Sequence, residues 1–216
     1  MKKTIIFLAL SIAAFTASAQ RTRLNGYAGY VFNDNFDSYY DPGNYYSGQI
    51  KGGFQWGVGV EYMVQPNYSV ELLYLNQQTT APTTYIGGSN ISLKTTNFDL
   101  GMNWVMAGAN GVYPHPNGKL EGYAGLMLGM LIANIDNPDN GNSNSATKFA
   151  WGFRLGGNVW ANDKFGVKIQ GQLLSAVQGA GGGFYFGTGG VGAGLSTYST
   201  IYQFTLGGGL SIKMGK

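Results

Sequence analysis

The stretch from Lys51 to Gln77 constrains the fold most, because its side chains alternate with a period of two. Phe54, Trp56, Val58, Val60 and Tyr62 are large and apolar, while Gln55, Gly57, Gly59 and Glu61 between them are small or polar. After the tight turn Val64-Gln65-Pro66-Asn67 the pattern resumes, with Tyr68, Val70, Leu72 and Tyr74 on one face and Ser69 and Glu71 on the other. Successive side chains of a strand leave opposite faces of the pleat, so two such runs around a short turn predict a β-hairpin. A soluble barrel would fill its inside with Val, Leu and Ile. Here the greasy face is continuous and tipped with aromatics, and the other face is Gly, Gln and Glu. That fits a barrel turned inside out, apolar towards lipid and polar towards its lumen.

Composition enters at three points. The 216 residues suffice for one barrel domain, and 36 glycines with only 11% charged residues suit a lumen that needs small side chains. The absence of cysteine excludes disulfides, thiolate metal sites and a lipid-modified N-terminal Cys. Aromatics at 14% suit girdles at a membrane interface.

The N-terminus reads as a separate object. Lys2 and Lys3 give a positive start, residues 4–15 are apolar, and Ala17-Ser18-Ala19 has the small-x-small form of a cleavage site. Residues 1–19 are expected to be a secretory signal peptide, since an apolar run of about a dozen residues is too short to span a bilayer. Residues 20–216 are then the barrel domain. Without Lys2 and Lys3 the chain carries 11 basic and 10 acidic residues, a balance that points to no nucleic-acid or polyanion partner.

Alternation continues along the chain and predicts eight strands: about 22–33, the two strands of the hairpin, and about 93–105, 119–133, 147–160, 165–174 and 198–213. In the fourth, Thr96, Phe98, Leu100, Met102 and Trp104 are expected to face lipid, with Asn97, Asp99, Gly101 and Asn103 inward. Leu73 and Leu75 break the rule, falling on the lumen face of the third strand. Connections alternate too. Those after the second and sixth strands are tight, the one after the fourth is somewhat longer, and 34–49, 78–92, 134–146 and 175–197 read as long loops. Short turns on one side and long loops on the other predict the outer-membrane layout, short side in the periplasm. Unpaired edge groups in lipid cost several kcal/mol each, so the last strand must close on the first. The expected fold is all-β: an eight-stranded antiparallel up-and-down transmembrane β-barrel.

On this pattern the chain resembles the small eight-stranded outer-membrane β-barrel proteins of Gram-negative bacteria, of the OmpX and OmpA-transmembrane-domain type. Its Gly- and Tyr-rich, cysteine-free style is similar to the outer-membrane barrels of Bacteroidetes. The resemblance covers the whole mature chain and implies an architecture rather than an activity. Such barrels often end on an aromatic residue, whereas this chain ends Ile212-Lys213-Met214-Gly215-Lys216.

Eight charged residues are expected to face the lumen: Arg23, Glu61, Glu71, Asp99, Glu121, Arg154, Lys168 and Lys213. Acids and bases balance, and charges taken from water need partners, so ion pairs with Gln and Asn hydrogen bonds should cross the interior. An eight-stranded barrel is just wide enough for side chains to fill it. The favoured reading is a structural plug, with a narrow pore as the alternative. No catalytic site is expected, because acid–base work needs open access to substrate and this cluster is deep and mutually neutralised. His115, in Tyr113-Pro114-His115-Pro116, has neither Cys nor an acidic neighbour and reads as a solvent-facing turn residue rather than a metal ligand. No cofactor is implied. Tyr39, Tyr40, Tyr45 and Tyr46 of the first loop, set among Asp, Asn and Gly, are candidates for surface contact. Asp34, Asp37 and Asp41 match no calcium-loop spacing. The function favoured is a structural or surface-interaction barrel, most simply a monomer, with membrane lipid as its partner and another envelope protein as a candidate second one. An accessory subunit of a secretion or uptake complex is a further alternative.

Overall fold

A computed structural model describes residues 21–39, 45–87, 92–139, 141–181, 183–187, 190–194 and 201–214. The expected signal peptide, residues 1–19, and Tyr40 lie outside the described residues. In chain order the strands are β1 (Thr22–Val31), β2 (Asp34–Tyr39), β3 (Tyr45–Ile50), β4 (Gly53–Gln65), β5 (Tyr68–Gly87) and β6 (Ser92–Pro114). They continue with β7 (Leu120–Asp136), β8 (Ser143–Trp160), β9 (Phe165–Gly181), β10 (Gly183–Gly187), β11 (Gly190–Gly194) and β12 (Ile201–Lys213). No helix among the described residues is long and apolar enough to cross a membrane.

Eight of these strands form a closed antiparallel ring, in the order β1, β4, β5, β6, β7, β8, β9, β12 and back to β1. Closure runs from Arg23 opposite Lys213 to Val31 opposite Thr205. The register fixes the shape. Stepping from Asn103 to its cross-strand neighbour and on around the ring passes Asn76, Trp56, Ala28, Gly208, Ile169, Gly157 and Gly122. The circuit returns to β6 at Tyr113, ten residues from its start. With eight strands, that stagger sets a strand tilt of about 40° and a backbone radius of about 8 Å. Along the barrel axis, Asn103 and Tyr113 are then about 25 Å apart, the height of the apolar band of an outer-membrane barrel.

The outer wall within that band is Leu24, Tyr30, Val58, Val60, Val70, Leu72, Leu126, Leu128, Phe153, Leu155, Ile169 and Leu206, all exposed. Phe32 stacks on Phe204 at the long-loop end, and Trp56 meets Tyr74 edge-on. Tyr68, Tyr113 and Phe165 mark the opposite rim. That rim carries the short connections. Pro66–Asn67 turns β4 into β5, and residues 115–119 join β6 to β7, with Gly118 at a φ of 69°. In the turn 161–164 the Asn162 side-chain oxygen accepts from the backbone N–H of Lys164 and Phe165. His115 is exposed in its turn, and its Nδ1 accepts from the N–H of Asn117.

At the other end the strands outrun the membrane. Segments 34–49, 78–92 and 134–146, expected as loops, are largely paired strand. β5 and β6 stay in register to Gly87 opposite Ser92, and β7 and β8 to Asp136 opposite Ser143. β2 pairs with β3, and β3 also pairs with β5. The cause is legible in Thr79, Thr80, Thr83, Thr84 and Tyr85, β-branched and aromatic residues that suit a pleat wherever water replaces lipid. Asp34 ties this upper hairpin to the ring by accepting from the N–H of Tyr202 at 2.9 Å. Burial raises its carboxyl above the ordinary range, against the lowering effect of that bond. Tyr39 and Tyr45 sit opposite one another in the β2–β3 pair, next to Tyr46.

One strand has the opposite parity to that expected. Thr96, Phe98, Leu100, Met102 and Trp104 of β6 are buried inside, while Asn97 and Asp99 are exposed and Asn103 is part-exposed on the outside. Both faces of β6 are apolar at mid-height, Val105 and Ala107 outside against Met106 and Trp104 inside, so hydrophobicity alone does not choose between them. The register does: Leu73 lies opposite Met106 and Leu75 opposite Trp104, so the two leucines belong to an apolar interior.

Candidate functional site: a lumen in two storeys

Seven of the eight charges expected in the lumen are there, gathered at the short-turn end. Lowest are Arg23 and Glu121, joined by two bonds of 2.9 and 3.1 Å between guanidinium and carboxylate. Asn158 donates to the same carboxylate at 3.2 Å. The Trp160 ring lies beneath both Arg23, at 5.1 Å, and the Lys213 ammonium, at 3.8 Å. Above them, Lys168 faces Glu61 at 3.6 Å, and the Ser69 hydroxyl donates to Glu61 at 2.5 Å. Asn25 donates to both Glu61 and Glu71, at 3.2 and 2.7 Å.

Glu71 and Arg154 form the centre. The guanidinium pairs with Glu71 and also donates to the Asn110 side-chain oxygen through Nε at 3.0 Å and Nη2 at 2.8 Å. The Tyr27 hydroxyl donates to the other oxygen of Glu71 at 2.5 Å. Tyr123 lies 4.7 Å below the Lys168 ammonium and donates to Gln170 at 2.7 Å. The next tier is amide: Gln172 donates to Gln55, and Gln203 to Gln77, each at 2.9 Å. A pair of charges held out of water persists only when its remaining lone pairs and protons are also satisfied, and Asn25, Ser69, Tyr27 and Asn110 satisfy them.

Glycine makes room for this. A Cβ on Gly59 would collide with the Glu71 carboxylate, one on Gly125 with the Asn110 side chain, and one on Gly156 would stand 2.7 Å from the Tyr123 hydroxyl. The gap left beside Tyr27, Gln55, Gln170, Gln172 and Thr205 holds about 10 Å³, at the lower limit for one water molecule.

From the glutamine tier upward the interior changes character. Leu73, Leu75, Trp104, Met106, Met127, Leu131 and Leu174 are fully buried together, and Phe98, Leu100, Met102, Ile135 and Ile201 carry the apolar filling on.

Asp99 is absent from the charge network. It is exposed on the outer face of β6 beyond the apolar band, opposite Asp136 of β7 and Thr80 of β5. The mis-set parity of β6 put it inside. Tyr27 and Asn25 were the least visible members of the network, because β1 alternates weakly and a lone inward Tyr carries no signature. Among the described residues no group of three or more His, Cys, Asp or Glu side chains could hold a metal ion.

The closed ring, the apolar belt of about 25 Å and the paired charges inside define a transmembrane β-barrel of the outer-membrane type. No family pattern matches the sequence, and no curated protein matches it. Solved structures do. The chain superposes on Neisserial surface protein A with a TM-score of 0.59 at 12% identity, covering 89% of this chain and 96% of that one. It superposes on the outer membrane protein OprG from Pseudomonas aeruginosa with a TM-score of 0.55 at 12% identity, covering 92% and 98%. This is likeness of fold: the chain has the architecture of the small outer-membrane β-barrels.

Proposed function

We propose that this chain is an integral outer-membrane protein with a structural and surface-interaction role, exported by cleavage after Ala19 and carrying neither a catalytic site nor a stable pore. Its short turns face the periplasm and its long hairpins stand outside the cell. One observation carries the reading. In the lower lumen Glu61, Glu71 and Glu121 each pair with a cation, and apolar side chains fill much of the described upper lumen, so among the described residues the middle of the bore offers no open pocket. Partners would then meet the lipid-facing belt and the outer hairpins, with Tyr39, Tyr40, Tyr45 and Tyr46 as the contacts proposed from their setting among Asp, Asn and Gly in the sequence. The monomer is the simplest state, since the ring closes on its own strands.

Planar-bilayer recording tests the closed lumen. The purified barrel is expected to give no sustained openings. Steady conductance that disappears on changing Arg154 would assign it to the pore class instead. N-terminal sequencing of the mature protein is expected to begin at Gln20.

A further inference from the structure

Where the two storeys meet, the packing leaves polar atoms that no protein group satisfies. Gln55 accepts the Gln172 amide on its side-chain oxygen at 2.9 Å, but its own Nε2 is buried without a hydrogen-bond partner among the protein atoms. The Thr205 hydroxyl is buried in the same condition. A buried donor left unpaired costs more than a made hydrogen bond returns, so two of them side by side call for a shared partner. Both side chains border one small space, the gap of about 10 Å³. Tyr27, Gln170 and Gln172 close it on the charged side and Leu75 on the apolar side.

The register explains why space is left at this point. On β1 and β12 the lumen-facing residues here are glycines. Gly29 lies opposite Gln55 of β4 on one side and Gly207 of β12 on the other, and Gly207 lies opposite Gln170 of β9. Two positions in a row without side chains therefore separate Gln55 from the glutamines of β9. The Thr205 methyl borders the space as well: a Cβ on Gly29 would stand 2.9 Å from it.

We infer that a single water molecule resides in this gap as a fixed part of the barrel. It accepts from Gln55 Nε2–H and exchanges a hydrogen bond with the Thr205 hydroxyl. Gln172 Oε1 accepts a 3.3 Å bond from Gln170 and has a second lone pair for the water. Three partners are typical of a buried water. The ligand is water rather than an ion on two counts. The space is at the lower limit for one water molecule, too small for a hydrated ion. The groups on offer are a neutral amide and a hydroxyl, while Glu71 and Arg154 below are spent on each other. The two storeys are thus joined by one held molecule instead of a column of solvent. The inference rests on the closed lumen proposed above only for the length of the water's stay.

A high-resolution crystal structure of the detergent-solubilised barrel tests the site. An isolated density peak is expected within about 3.2 Å of both Gln55 Nε2 and Thr205 Oγ1. Thr205→Val, which replaces the hydroxyl with a methyl of similar size, should lose the peak, and Thr205→Ser should keep it. A wild-type structure with no peak, or one in which Gln55 turns to bond Thr205 directly, would overturn the inference, as would a peak undiminished in Thr205→Val. Oxygen-17 relaxation dispersion of the same samples measures the stay, and wild type should show one more long-held water than Thr205→Val. A density peak without that long-held water would keep the site and overturn the closed lumen instead.

Discussion

Below the glutamine tier the lumen is held by paired charges, and above it by apolar packing, within one bore and on the same strands. β5 passes from Glu71 to Leu73 and Leu75 along its inner face, and β6 from Asn110 to Met106, Trp104 and Phe98. The two storeys answer perturbation differently. In the lower, each group is tolerable only because its partner is present, so its members are tightly coupled. In the upper, each side chain contributes its own burial, and losses should come closer to adding.

The largest effect should follow from breaking the central pair. Glu71→Ala leaves Arg154 buried and uncompensated, and should cost about 3–5 kcal/mol in urea unfolding of the detergent-solubilised barrel. Glu71→Met with Arg154→Met removes both charges and should recover most of that loss. A double variant as unstable as the sum of its parts would mean the two residues are uncoupled. Trp104→Ala in the upper storey should cost about 3–5 kcal/mol through the lost ring and its cavity, and no second substitution on the facing strand should restore it. Gly59→Val tests the room left for the charges. Its Cβ would occupy the space of the Glu71 carboxylate, and overpacking there should cost about 1–3 kcal/mol. The smallest effect separates inside from outside on β6. Asp99→Asn should change stability by no more than about 0.5 kcal/mol, as expected of a surface site. A loss of several kcal/mol would return Asp99 to the interior.

The lower storey was largely legible in the sequence because charge is rare in this chain. Glu61, Glu71, Arg154 and Lys168 stand alone among glycines and glutamines on alternating faces, and an unpaired charge has few places to go. The upper storey was not, because the solvent outside the wall changes there. Above Asn103 the strand has left the apolar band, so Phe98, Leu100 and Met102 turn inward while Asn97 and Asp99 meet water, and the same clean alternation carries the opposite polarity. Leu73 and Leu75 were the available signal. As misfits on the lumen face of β5 they required apolar company from the neighbouring strand, which Trp104 and Met106 provide once β6 is turned over. The hairpin ends were misjudged for a different reason. Polar threonines and asparagines beyond the membrane look like loop by composition, but the backbone pairing that lipid enforces continues into water as long as the residues suit a pleat.

The four tryptophans offer the most direct test, because two lie on each side of the wall: Trp56 and Trp151 outside, Trp104 and Trp160 inside. Variants retaining one tryptophan each, reconstituted in bilayers of brominated phosphatidylcholine, report contact with lipid by quenching. Trp56 and Trp151 should be strongly quenched, and Trp104 and Trp160 should keep the fluorescence they have in unbrominated lipid. Quenching of Trp104 with Trp56 left bright would contradict the arrangement of this barrel.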